Sequence, residues 1–67
     1  MFKERLIELR KEKGLTQVEF AKAIGYTQAQ ISQWESGINE PKASAIIAIS
    51  DYFGICADYL LGRKDFY

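Results

Sequence analysis

The segment from Thr16 to Gly37, TQVEFAKAIGYTQAQISQWESG, carries the same helix-start signal twice. Thr16 is followed three residues later by Glu19, and Thr27 three residues later by Gln30. In each pair the threonine oxygen can accept from a free N–H of the first turn. The Glu or Gln can reach back to the threonine's own N–H. Gly25 lies between the two signals, where the first helix must stop and the backbone takes a left-handed residue. The chain must therefore hold two short helices of about eight or nine residues, joined by a tight turn.

The rest of the sequence supplies what such a pair needs for a core. A chain of 67 residues reads as one domain, residues 1–67, burying only ~60% of its extended surface. Phe2, Leu6 and Leu9 form an apolar stripe on a first helix running from Phe2 to Lys13, with Gly14 to end it and Ile7 half exposed beside the stripe. Leu15 plugs the core ahead of the Thr16 cap. Phe20, Ala21 and Ile24 face inward from helix two, while Gln17, Val18 and Lys22 face outward. Helix four is expected from Lys42 or Ala43 to Phe53, with Ala43, Ile46, Ile49, Ser50 and Phe53 on one face. Gly54 ends it and Ile55 tucks back. A short helix five, Ala57 to Leu61, is closed by Gly62. The expectation is an all-α, compact five-helix domain with the helix-turn-helix at about 16–37. Helices four and five and the tail, 42–67, are expected to complete the core and to carry the dimer surface.

Several function classes drop out early. With one cysteine, Cys56, and no histidine, neither an internal disulfide nor a Cys/His zinc site nor a His-based catalytic pair is available. No glycine loop cradles a phosphate and no nucleophile is activated, so the expectation is no enzyme, no metal and no cofactor. No apolar run approaches the ~18 residues of a membrane helix. The N-terminus, MFKERLIELRKEKG, lacks the apolar core of a signal peptide. A cytoplasmic protein without a membrane partner is expected.

Helix three carries the functional signal. Placing Gln28 at zero and turning about 100° per residue puts Ile31 and Trp34 on one side, which is the buried one. Gln28, Ala29, Ser32 and Gln33 lie on the other, and Gln30 points sideways to its capping role. The exposed face is thus polar, small and uncharged, where a helix needing only solubility would carry Lys and Glu. These residue types suit base edges in a DNA major groove: Gln on adenine, Ser on several edges, Ala against a thymine methyl. The second helix of such a motif is the one that enters that groove.

Charge pulls the other way. Nine basic and nine acidic residues leave a net charge of zero, whereas counterion release normally rewards a basic surplus. The molecule is weakly polarised. Lys3, Arg5, Arg10, Lys11, Lys13 and Lys22 outnumber Glu4, Glu8, Glu12 and Glu19, and the balance reverses from Ala23 onward. Binding would then depend on a second copy of the chain and on specific contacts.

Over roughly residues 3 to 62 the sequence resembles the Cro and lambda-type repressors, the Xre-type helix-turn-helix family. The matching pieces are RLIELRKEKGLTQVEFAKAIG, YTQAQISQWESGINEPK and IIAISDYFGICADYLLG. The resemblance implies a DNA-binding transcriptional regulator, commonly a homodimer on a palindromic operator. It places Gln28, Ala29, Ser32 and Gln33 at bases and Gln17 at a phosphate. Arg10 and Glu35 match a pair that in some members is a salt bridge between helices one and three. A direct phosphate role for Arg10 is the rival reading, and the two can coexist. The chain departs from the family pattern at Lys42 and Cys56, which stand where Ser or Thr caps are usual. Lys42 thereby becomes a phosphate candidate, and Cys56 a capping or buried thiol.

The reading that results is a small repressor that recognises double-stranded DNA. Gln17, Ser36, Asn39 and Lys42 would hold phosphates with Arg10 assisting. Tyr59, Phe66 and Tyr67, with Tyr52, would form a dimer patch or else pack within the chain. The alternative is an antitoxin or other protein-interaction module on the same fold.

Overall fold

The computed structural model describes residues 2–63 and 65, so Phe66 and Tyr67 of the expected dimer patch lie outside the described residues. Five helices follow in order: α1 (Phe2–Glu12), α2 (Gln17–Ile24), α3 (Gln28–Ser36), α4 (Ala43–Phe53) and α5 (Ala57–Leu60). The described residues contain no strand. The all-α expectation is met, and α2 and α3 start and stop where the two threonines and the two glycines place them.

Helix ends build the core as much as helix faces do. At the close of α1 the Gly14 N–H donates to Lys11 and the Leu15 N–H to Arg10, which turns Leu15 back onto the core. That tight close ends α1 at Glu12, one residue short of the expected Lys13. Tyr26 and Ile55, each immediately after a helix-ending glycine, fold back in the same manner and pack on the core from the side.

The core joins Leu6 and Leu9 of α1, Phe20 and Ala21 of α2, Ile31 and Trp34 of α3, Ala45 and Ile49 of α4 and Leu60 of α5. Phe20, Leu6, Ile31, Ile49 and Leu60 are fully buried, each contributing roughly 1.5–3 kcal/mol by leaving water. Phe20 sits at the centre, its ring 5.4 Å from Phe53 and 6.1 Å from Tyr52. Trp34 meets Tyr26 edge-on at 5.2 Å. α2 packs between α3 and α4, and α1 rests on α3 and α5.

The face expected for α4 needs correcting. Ala45, Ile49 and Ser50 are buried, Ile46 and Phe53 are half-buried, and Ala43 is exposed. The segment ASAIIAIS is apolar nearly all round, so its phase is set by packing against Phe20 and not by its own pattern. Ala43 lies about 120° from Ile49 and is the first residue of the helix. Leu61 likewise lies beyond α5 and is exposed.

Candidate nucleic-acid interface

Both capping boxes form. Thr16 Oγ1 accepts from the Glu19 N–H at 3.1 Å, and Glu19 Oε1 accepts from the Thr16 N–H at 2.8 Å. Thr27 Oγ1 accepts from the Gln30 N–H at 3.2 Å, and Gln30 Oε1 accepts from the Thr27 N–H at 2.9 Å. The backbone N–H bond from Thr16 holds the Glu19 carboxyl below the usual carboxylate range. The boxes use the N–H of the third residue of each helix and leave the N–H groups of the first residues of α2, at Gln17 and Val18, pointing off the helix end. That end carries the positive pole of the helix dipole and suits an anion.

Gly25 takes φ 81 as the C-cap of α2, a left-handed turn that reverses the chain within two residues into the Thr27 cap. Ala21 is buried on α2 near this turn. A larger side chain there would cost roughly 1–3 kcal/mol in overpacking. The turn directs α3 so that Ile31, Trp34 and Glu35 are buried while Gln28, Ala29 and Gln33 are exposed and Ser32 is half-buried.

Beneath this face runs a continuous set of hydrogen bonds. Arg10 meets Glu35 with two prongs, Nε to Oε2 at 2.6 Å and a terminal nitrogen to Oε1 at 3.0 Å, and its other terminal nitrogen donates to the Leu15 carbonyl at 2.8 Å. The pair is nearly dry, with side chains 12% and 6% exposed. Glu35 Oε1 also accepts from Gln17 Nε2 at 3.0 Å, and Gln17 Oε1 accepts from Gln28 Nε2 at 2.7 Å. A buried ion pair is thereby linked, through the first residue of α2, to the first residue of α3. Arg10 has all three guanidinium nitrogens engaged inside the domain.

The other end of α3 has its own set. Gly37, at φ 83, turns the chain back so that the Ile38 and Asn39 N–H groups both reach the Gln33 carbonyl, at 3.1 and 3.4 Å. Asn39 Nδ2 donates to Gln33 Oε1 at 2.8 Å, and Ser36 Oγ to the Gln33 carbonyl at 3.1 Å. Lys42 is exposed and occupies the N-cap position of α4 without a side-chain cap, and Cys56, half-buried, does the same for α5. Pro41, Lys42, Asn39 and Glu40 line one open cleft with Gln30 and Gln33, so Glu40 stands among the groups expected to meet DNA.

Glu35, Gln17 and Gln28 are thus brought into one hydrogen-bonded cluster with Arg10, and Gln33, Ser36 and Asn39 into a second at the C-terminal end of α3. Tyr59 lies apart, its ring 4.1 Å below the Arg5 guanidinium, and Tyr52 packs on Phe20 and Phe53. The links from Gln17 to Gln28 and from Asn39 to Gln33 went unread in the sequence. The first joins residues on separate helices and has no local signature. The second had one: a glycine cap of this type returns the following residues over the last helical turn.

The helix-turn-helix family matches residues 6–60 of the chain. The transcriptional activator BcrR of Enterococcus faecalis is 36% identical over 64 residues, covering 96% of this chain and 31% of its own length. The uncharacterized transcriptional regulator YqaE of Bacillus subtilis is 39% identical over 61 residues, covering 91% of this chain and 53% of its own. The chain therefore spans about half or less of these relatives. Among solved structures, the P22 c2 repressor in complex with a synthetic operator superposes with a TM-score of 0.88 at 31% identity, covering 96% of this chain and 97% of that one. With these matches spanning both helices of the motif and the core around them, the chain belongs to the helix-turn-helix family of the Cro and lambda-repressor type.

Proposed function

We propose that this protein binds double-stranded DNA sequence-specifically and acts as a transcriptional repressor, as a homodimer on a palindromic operator. The observation that carries the reading is the hydrogen-bonded path from Arg10 through Glu35 and Gln17 to Gln28, which fixes an uncharged reader face beside an anion-seeking helix end. Gln28, Ala29, Ser32 and Gln33 meet base edges from α3. The α2 end at Gln17, with Ser36 and Lys42 at the far side, meets phosphates, and Arg10 acts by holding Glu35 and Gln17. Gln28 keeps its carbonyl oxygen and one amide N–H unused by Gln17, the pair that adenine asks for. Exposed apolar side chains at Ile47 and Leu61, in the region expected to join two copies, support the dimer.

Selection of bound sequences from a random double-stranded pool, followed by fluorescence-anisotropy titration, tests this. Gln28→Ala should weaken binding to the selected sequence by about 1–3 kcal/mol and leave non-specific binding nearly unchanged. Equal losses on both kinds of DNA would remove Gln28 as a base reader. A protein that retards no fragment even at low salt would be the interaction module instead.

A further inference from the structure

We infer that Asn39 is a specificity-determining positioning residue: it fixes which end of the Gln33 carboxamide enters the groove, so that Gln33 selects a keto base, guanine or thymine, on the strand it reads. The inference rests on the DNA-reading role of α3 proposed above and reassigns Asn39 from phosphate contact to the control of a neighbouring side chain.

A glutamine carboxamide has a donor end and an acceptor end of nearly equal shape, and its last torsion is broad and two-fold. Left alone on an exposed helix face, Gln33 would offer either end to a base and discriminate poorly between a keto and an amino partner. Here it is not left alone. The left-handed cap at Gly37 and the two backbone bonds from Ile38 and Asn39 to the Gln33 carbonyl hold Asn39 above the last turn of α3. From there Asn39 Nδ2 donates to Gln33 Oε1 at 2.8 Å. The oxygen end is turned toward the loop, and the Nε2 end, with two N–H donors, is turned away from it. A donor leading into the major groove seeks an acceptor: O6 and N7 of guanine or O4 of thymine, whereas adenine sets its single acceptor, N7, beside the N6 donor and cytosine shows only a donor.

The contrast with Gln28 sharpens the point. Gln28 is held by the opposite end, its Nε2 donating to Gln17 Oε1 at 2.7 Å. Two glutamines on one face are thus fixed with reversed polarity by two different neighbours, one on α2 and one in the loop after α3. Both anchoring bonds are exposed in the free protein, and both strengthen when docking on DNA expels water.

The test is selection from a random double-stranded pool with wild-type protein, Asn39→Ala, Asn39→Asp and Gln33→Ala, reading base preference at each operator position. Wild type should prefer guanine or thymine at one position per half-site. Asn39→Ala should shrink that single preference by about 3- to 10-fold, the equilibrium value of one ordinary hydrogen bond, and leave the others intact. Asn39→Asp offers only acceptors, draws Nε2 toward the loop and should invert the base pair at that position, favouring adenine or cytosine on the same strand. Gln33→Ala should erase the preference and make further change at Asn39 silent there. Asn39 is exposed and outside the helices. Should the alanine variant lose helicity by circular dichroism, the aspartate variant carries the test. A uniform loss across all sequences with every preference preserved would make Asn39 a phosphate contact and overturn the inference alone. A wild-type protein that selects no sequence would overturn the reading of α3 itself.

Discussion

Glu35 serves three helices at once. Its two oxygens take both prongs of Arg10 from α1 and the amide of Gln17 from α2, while its own backbone belongs to α3. A buried pair of this kind adds little net stability over apolar residues of the same size, because desolvation offsets the attraction. Removing one partner alone strands a charge. Glu35→Ala should therefore lower the unfolding free energy by about 3–5 kcal/mol, close to the whole stability of a domain this small, and urea titration will read it. Replacing both, as Arg10→Met with Glu35→Leu, should recover most of that stability. It should not recover DNA affinity, because Gln17 then loses its anchor and Gln28 loses Gln17. Recovery of both would show that the path to Gln28 has no role in binding. Turning about 100° per residue from Gln28 puts Glu35 at the margin of the arc held by Ile31 and Trp34, so burial was within reach of the sequence. That its second oxygen also holds Gln17 was not, since that contact depends on how closely α2 and α3 cross.

Helices α2 and α3 were legible to within a residue because their ends are written in short-range chemistry: Thr and Glu, or Thr and Gln, three apart at the start, and glycine at the stop. α4 was not legible in the same way. It starts at Lys42 without a side-chain cap and is apolar nearly all round, so neither its start nor its buried face is specified locally, and Ala45 is buried where Ala43 was expected. The Asn39 contact was missed for a related reason, since its partner is chosen by the turn at Gly37 and not by a periodic pattern. The short-range chemistry of α2 also makes a pH prediction. The Thr16 N–H bond holds the folded-state pKa of Glu19 below its ordinary value of 4.5. A depressed carboxylate contributes stability that is present above the unfolded value and lost as pH falls through the folded one. The start of α2 should thus loosen on acidification below about pH 4.5. Glu19→Gln keeps an acceptor for the Thr16 N–H and removes the titration. The difference between the two proteins in far-UV circular dichroism should be flat at neutral pH and change only in that acid window; a parallel acid response in both would assign the loosening to other carboxylates.

The domain taken whole is small and electrically balanced, and these two properties together argue for two copies on DNA. Nine positive and nine negative residues leave little of the counterion-driven attraction that usually holds a repressor to DNA. The uncharged α3 face proposed to read bases supplies none of that attraction. The described residues span 27 Å along their longest axis, less than the ~34 Å that separates two recognition helices one DNA turn apart. On a palindromic operator of the kind proposed, one copy would span a single half-site, and a second copy would read the other, its affinity adding through linkage. Selected operators should accordingly show two inverted half-sites with centres about 34 Å apart. Inserting half a helical turn between them turns the second site to the far side of the duplex, where a rigid pair of copies cannot reach both. Anisotropy titrations should then show affinity falling to that of an isolated half-site, with the stoichiometry falling from two copies to one. If the insertion leaves affinity unchanged, each copy binds alone, and the contacts of α3 must be strong enough by themselves to offset the missing charge.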